Sequence, residues 1–168
     1  TPAAGSYGGA QSVTITGPVG ATIRYTTDGS EPTAASTAYA GAIAVNVTTV
    51  IRATCFGAAG SLPSFIESNS YFINSAHTVP VWSIAGDQVD DLLNGNGGIH
   101  PFGSIEYFGE DGTLRDEAVG EFNEHGQDSW AYDQRGFDYI TRDETGYNNA
   151  IHYPIFRTKT RDKFQRVI

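Results

Sequence analysis

The chain has 168 residues, of which 39% are hydrophobic and 17% charged, and its formal net charge is −9. This composition is typical of a globular protein, and the length allows one ordinary domain or two small ones. No apolar run approaches the ~20 residues that a transmembrane helix needs, so no transmembrane segment is predicted. The acidic balance argues against a nucleic acid partner, because phosphate binding depends on clustered Lys and Arg.

Charge divides the chain into two parts. Residues 1–75 carry two basic and three acidic side chains, whereas residues 76–168 carry eight basic and sixteen acidic ones. The two parts therefore present different surfaces, and we predict two modules, 1–75 and 76–168.

The chain contains no Met and stops inside the alternating run "FQRVI", from which we expect a cut or processed fragment of a longer protein.

The first module is predicted to consist of short strands. Apolar and polar residues alternate in runs bounded by Gly, Pro, Ser or Asp, and the predicted strands are 12–16, 22–27, 42–47, 50–55 and 65–73. This pattern indicates a β-sandwich, entered through a Gly- and Ala-rich linker, "TPAAGSYGGAQ". Cys55 shares one strand face with Ile51 and Ala53, which favours a buried hydrophobic role over that of a nucleophile.

The stretch "YTTDGSEPT" predicts a hairpin turn. Asp28-Gly29 supplies the residues that positive φ favours, and Pro32 cannot continue a strand ladder. Turn geometry alone therefore accounts for these three residues, and ligand contact is the alternative.

The same stretch carries a family resemblance. "ATIRYTTDGSEPT", then "AYAGAIAV", "TTVIRATCFGAAGSLPS" and "SNSYFI" resemble the Ig-like chitobiase and hexosaminidase C-terminal module over residues 3–74. The resemblance implies an Ig/fibronectin-III-like β-sandwich of the kind found in exported bacterial enzymes and surface proteins, where it serves as a spacer or contacts polysaccharide.

Sugar binding would need a row of exposed aromatic side chains. The candidates are Tyr7, Tyr25, Tyr39, Phe56 and Tyr71. Aromatic residues on sandwich strands are more often core residues or cross-strand pairs, and we favour that role for all five.

The second module is predicted to be α+β and mostly antiparallel. Strands are expected at 79–84, 105–108 and 136–142, with a short helix through Val89 and Leu92 that Gly86-Asp87 caps and Gly95 ends. Asp87, Asp90 and Asp91 fail the spacing of an EF-hand loop, and the helix dipole accounts for them better than calcium does.

Other charged residues of this module give weak chemical signals. The three scattered histidines, His100, His125 and His152, lack zinc-site spacing, so no metal site is predicted. Glycoside hydrolysis by a carboxylate pair drawn from Glu106, Glu121 and Glu124 is a distant alternative to solvated strand charges. The basic run 157–166 alternates like one solvated strand face.

The order of motifs in the second module resembles the N-terminal portion of the CotH-type (spore coat) kinase family over residues 78–168. The motifs are "VPVWSIAGD", "GSIEYFGEDG", "HGQDSWAYDQRGFDYITRDETGYN" and "IHYPIFRTKTRDKFQRVI". The most specific parts are residues 126–129, the pair Gln134-Arg135 and residues 153–156.

The CotH resemblance implies the first lobe of an ATP-using domain. Arg135 stands where the family has Lys or Arg, which makes it the candidate nucleotide contact. The alternative is a strand-surface Arg paired with Asp133 or Asp138. No catalytic residue is assigned in this segment, because the family's metal-holding carboxylates and catalytic Asp would lie beyond Ile168. ATP and Mg are therefore expected only for the complete parent protein.

Two functions of different class follow from these resemblances. In the first, a sandwich spacer or binding module is joined to a kinase-like domain in a secreted or cell-surface bacterial protein. In the second, the protein is a non-catalytic adhesion or polysaccharide-binding surface protein. Partners are expected to be protein or polysaccharide at the cell surface, and the oligomeric state stays open.

Overall fold

A computed structural model describes residues 1–57, 61–126 and 135–168. The chain forms two compact units: unit 1 comprises Thr1–Ser83 and Tyr107–Leu114, and unit 2 comprises Ile84–Glu106 and Arg115–Ile168. In the described part the fold is mainly β, with one short helix. The elements are β1 Gly5–Tyr7, β2 Gln11–Val13, β3 Thr22–Thr26, β4 Thr37–Ala38, β5 Ile43–Val45, β6 Thr49–Phe56, β7 Glu67–Ile73, β8 Val81–Ala85, α1 Val89–Leu93, β9 Phe102–Phe108, β10 Leu114–Glu124, β11 Phe137–Thr141 and β12 Arg166–Val167.

Unit 1 is a two-layer β-sandwich. One layer is a five-stranded sheet of order β1-β7-β6-β3-β4, and the other is the β2-β5 pair. Both layers contribute to one buried cluster, which consists of Val13, Ile43, Val45, Ile51, Tyr71 and Ile73. Because alternate residues of a strand point to one face, each strand supplies its apolar set to the space between the layers. The predicted β-sandwich is confirmed here.

The N-terminal segment is a strand, so the predicted linker is wrong. Gly5–Tyr7 pairs in parallel with β7, with Gly5 opposite Tyr71. Ala4 is buried, and the Tyr71 hydroxyl donates to the Pro2 carbonyl oxygen at 3.1 Å. Small residues in a Gly- and Ala-rich stretch suggest flexibility, but the edge of β7 supplies backbone partners that composition does not reveal.

The turn after β3 confirms one part of its prediction and corrects another. Gly29 has φ 82°, in the left-handed region that favours glycine. The turn is not a two-residue hairpin, however, because residues 27–36 connect β3 to β4, which pair with Tyr25 opposite Thr37. Asp28 lies beside Val50 in an isolated parallel bridge, which draws the chain toward β6 rather than straight back along β3.

Unit 2 contains most of the residues of a second five-stranded sheet. The strand order of this sheet is β12-β11-β10-β9-β8, and β10-β11 and β11-β12 are antiparallel. Phe122 and Tyr139 are fully buried, with ring centroids 4.7 Å apart, and the Tyr139 hydroxyl donates to the Ala118 carbonyl oxygen at 2.8 Å. Burial raises the pKa of the Tyr139 phenol, because the charged form is poorly solvated there.

The predicted helix is present, but its cap is different. Val89 and Leu92 are buried on its inner side, whereas its N-cap is Gln88 at φ 62° with no side-chain cap hydrogen bond. The cap predicted at Gly86-Asp87 is therefore wrong. Gly86 has a packing role instead, since a Cβ there would lie 2.5 Å from the Phe102 carbonyl oxygen.

Two stretches of unit 2 depart from their predicted strands. The long strand β10 was not predicted, because Ala118 and Gly120 occupy two of its buried positions and the other face is mostly charged or polar. The basic run 157–166 is not one strand face, since only its end lies in β12 and the Lys159 amide closes a turn by donating to the Phe156 carbonyl oxygen at 3.0 Å.

In the described part of the chain, no helix is long and apolar enough to cross a membrane.

Candidate functional site

Unit 1 contains a groove of about 360 Å³, hereafter the β1–β7 groove. Its walls are residues 6–8, residues 74–77 and residues 110–112. The first wall is the carboxyl end of β1 with the residue that follows it, and the second wall directly follows β7. These two ends meet because the two strands are parallel. The third wall is the turn that begins at Gly109.

Backbone hydrogen bonds fix all three walls. The Asn74 amide donates to the Tyr7 carbonyl oxygen at 2.8 Å, and the Ser6 amide donates to the Gly112 carbonyl oxygen at 3.0 Å. The Gly109 amide donates to the Thr113 carbonyl oxygen at 2.9 Å, which closes the turn. The groove is therefore preformed, which reduces the ordering cost of binding a ligand.

The backbone of the groove has two special positions. Asn74 adopts φ 53°, which few residues other than Gly, Asn and Asp tolerate, and Gly112 adopts φ 74°. A Cβ at Gly112 would meet the Ser6 side chain at 2.5 Å, so the turn can approach β1 only through glycine. Positive φ at a non-glycine residue is often found at functional positions.

Two rings are oriented at the groove by neighbouring aromatic residues. The Tyr7 ring stacks on Tyr71 with centroids 6.2 Å apart, and its hydroxyl donates to the Ala3 carbonyl oxygen at 2.5 Å. The His77 ring meets Phe72 edge-on at 5.2 Å, and its Nε2 lies 3.4 Å from Ser75 Oγ. These contacts place an aromatic surface and an imidazole on different walls of one groove.

The charge of the groove is negative. Glu110 and Asp111 are exposed on the third wall, and the lining segments contain neither Lys nor Arg. Asp111 Oδ1 accepts hydrogen bonds from the amide and hydroxyl of Thr113, at 3.1 and 2.7 Å, which holds the turn in shape. A substitution of Glu110 therefore changes the charge of the groove and leaves the two hydrogen bonds of Asp111 in place.

The aromatic candidates of the sequence are mostly internal. Tyr71 is buried in the core cluster, and Tyr7, Tyr25 and Tyr39 pack against that cluster. Tyr25 and Tyr39 meet edge-on with centroids 6.5 Å apart. The expected core and cross-strand roles are thereby confirmed for these four, while Phe56 is half-buried at the end of β6.

Arg135 lies against the end of α1 in unit 2. Its Nη1 donates to the Leu93 carbonyl oxygen at 3.0 Å, and the guanidinium lies 3.4 Å from the Cβ position of Gly95. Residues 127–134 of the motif around it lie outside the described residues, and these include Asp133 and Gln134. Asp138, its other expected partner, forms an ion pair with Arg166, and its Oδ1 lies 3.1 Å from His125 Nδ1. The nucleotide role of Arg135 stays a prediction.

The other titratable candidates of unit 2 occupy separate environments. Glu106 is buried, Glu121 forms an ion pair with Arg142 at 3.3 Å, and Glu124 is exposed. His100 Nδ1 contacts Asn123 Oδ1. In residues 1–57, 61–126 and 135–168, no group of three or more His, Cys, Asp or Glu residues could hold a metal ion.

Sequence comparison adds one finding for unit 1. Residues 2–66 match the family model of the chitobiase/beta-hexosaminidase C-terminal domain. The predicted resemblance is confirmed for this segment, which contains β1 to β6 of the sandwich. No curated protein and no solved structure matches the chain.

The groove itself was missed by sequence reasoning. Its walls come from three segments separated by many residues, and two of these segments lie outside the matched domain. The residues of the third wall belong to the stretch "GEDG", whose Asp-Gly pair is typical of a turn. The pairing of β1 with β7 joins the first two walls, and the bridge between Gly5 and Thr113 brings the turn to the N-terminal strand.

Proposed function

We propose that unit 1 is a carbohydrate-associated accessory module of an exported, modular protein. The observation that carries this proposal is the match of residues 2–66 to a domain named for chitobiases and β-hexosaminidases. Enzymes with those names act on β-linked hexosamines, so saccharides containing hexosamine are the class to test first.

The contacts of the tyrosines define how such a module would work. Flat aromatic platforms on a sheet face bind sugars by stacking, but Tyr25, Tyr39 and Tyr71 are engaged in packing. The module would therefore meet saccharide through polar groups at a strand edge, or hold a neighbouring domain at a fixed distance. The β1–β7 groove supplies such polar groups.

The finer proposal concerns unit 2. We propose that it belongs to the N-terminal lobe of a CotH-type kinase-like domain, in a protein that acts at the cell surface or outside the cell. The motifs of residues 78–168 and the antiparallel pairing of β10 with β11 and of β11 with β12 support this proposal. ATP and Mg would act in the complete parent, with Arg135 as a nucleotide contact; the alternative is a non-catalytic adhesion protein.

Retention of the full chain on insoluble polysaccharides tests the first proposal. The chain is passed over chitin, chitosan and cellulose, and the bound fraction is compared with that of serum albumin. We expect retention on the two hexosamine polymers above that on cellulose. Equal retention on all three, or none on any, would exclude a carbohydrate role specific for hexosamines.

A further inference from the structure

We propose that the β1–β7 groove binds a hexosamine whose 2-amino group is free and protonated, as in a de-N-acetylated β-linked oligomer. This inference deepens the proposed carbohydrate role, on which it rests, by assigning a site and a ligand charge. The groove lies within unit 1, but only one of its three walls is inside the segment matched to the family.

The shape of the groove suits one or two sugar rings. A volume of about 360 Å³ is within the range of small-ligand clefts, and the walls are already fixed by main-chain hydrogen bonds. Tyr7 is half-buried in its wall, with its ring stacked on Tyr71, so it gives this wall a fixed shape. The hydroxyl groups of a sugar ring require polar partners in addition.

Polar partners are available on the other two walls. Asn74 and Ser75 provide an amide and a hydroxyl group, and His77 provides an imidazole. These groups both donate and accept hydrogen bonds, as a polyol does. Asn74 is held by its own backbone amide, which donates to the Tyr7 carbonyl oxygen at 2.8 Å.

Charge selects the kind of sugar. The lining segments carry two carboxylates, at Glu110 and Asp111, and lack Lys and Arg. These carboxylates repel an anionic saccharide and give no net Coulomb attraction to a neutral one. A cationic saccharide is attracted to them. Among common saccharides, a hexosamine with a free amino group is the one that carries this positive charge.

Two neighbouring glycines provide a matched pair of variants. Gly8 lines the groove and Gly9 does not, and a Cβ at either residue would meet no atom within 4 Å. Neither residue has a positive φ, so both accept a side chain without strain. Gly8→Lys places a cation in the groove, and Gly9→Lys makes the same change in net charge one residue away.

The test is isothermal titration of the full chain with glucosamine tetramer and with its N-acetylated counterpart, at a pH where the amine is protonated. We expect the free amine to bind more tightly, with an affinity that falls as salt is added. Gly8→Lys should weaken its binding at least about tenfold, and Gly9→Lys by less than about twofold. Glu110→Gln should weaken it about two- to fivefold, whereas the exposed control Glu31→Gln should leave it unchanged.

Three results would overturn the inference and leave the carbohydrate role standing. These are equal binding of the two tetramers, equal effects of the two lysine variants, and an effect of Glu31→Gln as large as that of Glu110→Gln. Failure of the chain to bind either tetramer or any of the three polymers would instead overturn the proposed function itself.

Discussion

The guanidinium of Arg52 donates a hydrogen bond from Nη1 to the Gly29 carbonyl oxygen at 3.1 Å. Arg52 is only 3% exposed, although it lies on a strand of the sandwich, and its Nε donates to Ser68 Oγ at 3.3 Å. A buried cation thus ties the loop after β3 to the centre of the sheet. The turn at Asp28-Gly29 is therefore a structural feature of unit 1.

Replacing Arg52 should destabilise unit 1 strongly. Arg52→Ala removes the donors to the Gly29 carbonyl and the Ser68 hydroxyl inside the fold, for which we expect a loss of about 2–4 kcal/mol in the free energy of unfolding. Urea denaturation followed by tryptophan fluorescence and circular dichroism measures it. The exposed control Arg157→Ala should change the value by less than about 0.5 kcal/mol. A loss for Arg52→Ala as small as that of the control would show that the guanidinium does not hold the loop.

Gly29 should resist substitution by a β-branched residue. Its φ of 82° is strained for any L-residue with a branched Cβ, so Gly29→Val should cost about 1 kcal/mol or more. Gly41 has open space around its Cβ position and no positive φ, which makes Gly41→Val the matched control. Equal unfolding midpoints for the two variants in urea would contradict the left-handed conformation at Gly29.

Asp28 should make the turn sensitive to acid. The hydroxyl and amide of Ser30 donate to Asp28 Oδ1 at 2.6 and 3.1 Å, and these hydrogen bonds lower the pKa of the carboxyl from its ordinary value of 3.8. Its contribution is therefore present above the ordinary pKa and is lost as the pH falls through the lowered one.

The pH dependence can be measured with a single variant. Asp28→Ala should lower the free energy of unfolding by about 0.5–1 kcal/mol at neutral pH, the value of an exposed side-chain hydrogen bond. This difference from the wild type should shrink once the pH is below the lowered pKa. A difference that stays constant from neutral pH to strong acid would show that the carboxylate charge plays no part.

Tyr139 should depend on its hydroxyl group. In Tyr139→Phe the Ala118 carbonyl oxygen loses a donor at 2.8 Å in the interior of unit 2, so we expect a loss of about 1–2 kcal/mol. Tyr153→Phe, at a half-buried position, serves as control and should lose less. Thermal unfolding of the two variants compares them, and an unchanged melting temperature for Tyr139→Phe would count against the buried hydrogen bond.

The parts of the fold that local pattern determines could be predicted from the sequence. The strands at β3, β6 and β7 alternate apolar and polar residues and end at turn-forming residues, and each lies close to its predicted range. The short helix likewise follows the spacing of Val89 and Leu92. These elements carry their information within a few residues.

The parts that depend on distant partners could not be predicted. β1 is a strand because β7 offers it an edge, and β10 is a strand although Gly120 and Ala118 occupy buried positions where larger apolar residues are usual. A Cβ at Gly120 would lie 2.2 Å from the Ile140 carbonyl oxygen, so close approach to β11 explains that glycine. The β1–β7 groove is the extreme case, since its walls meet only in the folded chain.

Nuclear magnetic resonance of the full chain titrated with glucosamine tetramer tests the central claim most directly, because it reports both binding and its place. The account predicts that amide shifts change in residues 6–8, 74–77 and 110–112, while those of the Asp28 turn and of β10 stay constant. Amide shifts that stay constant throughout unit 1, or that change only outside these three segments, would contradict it.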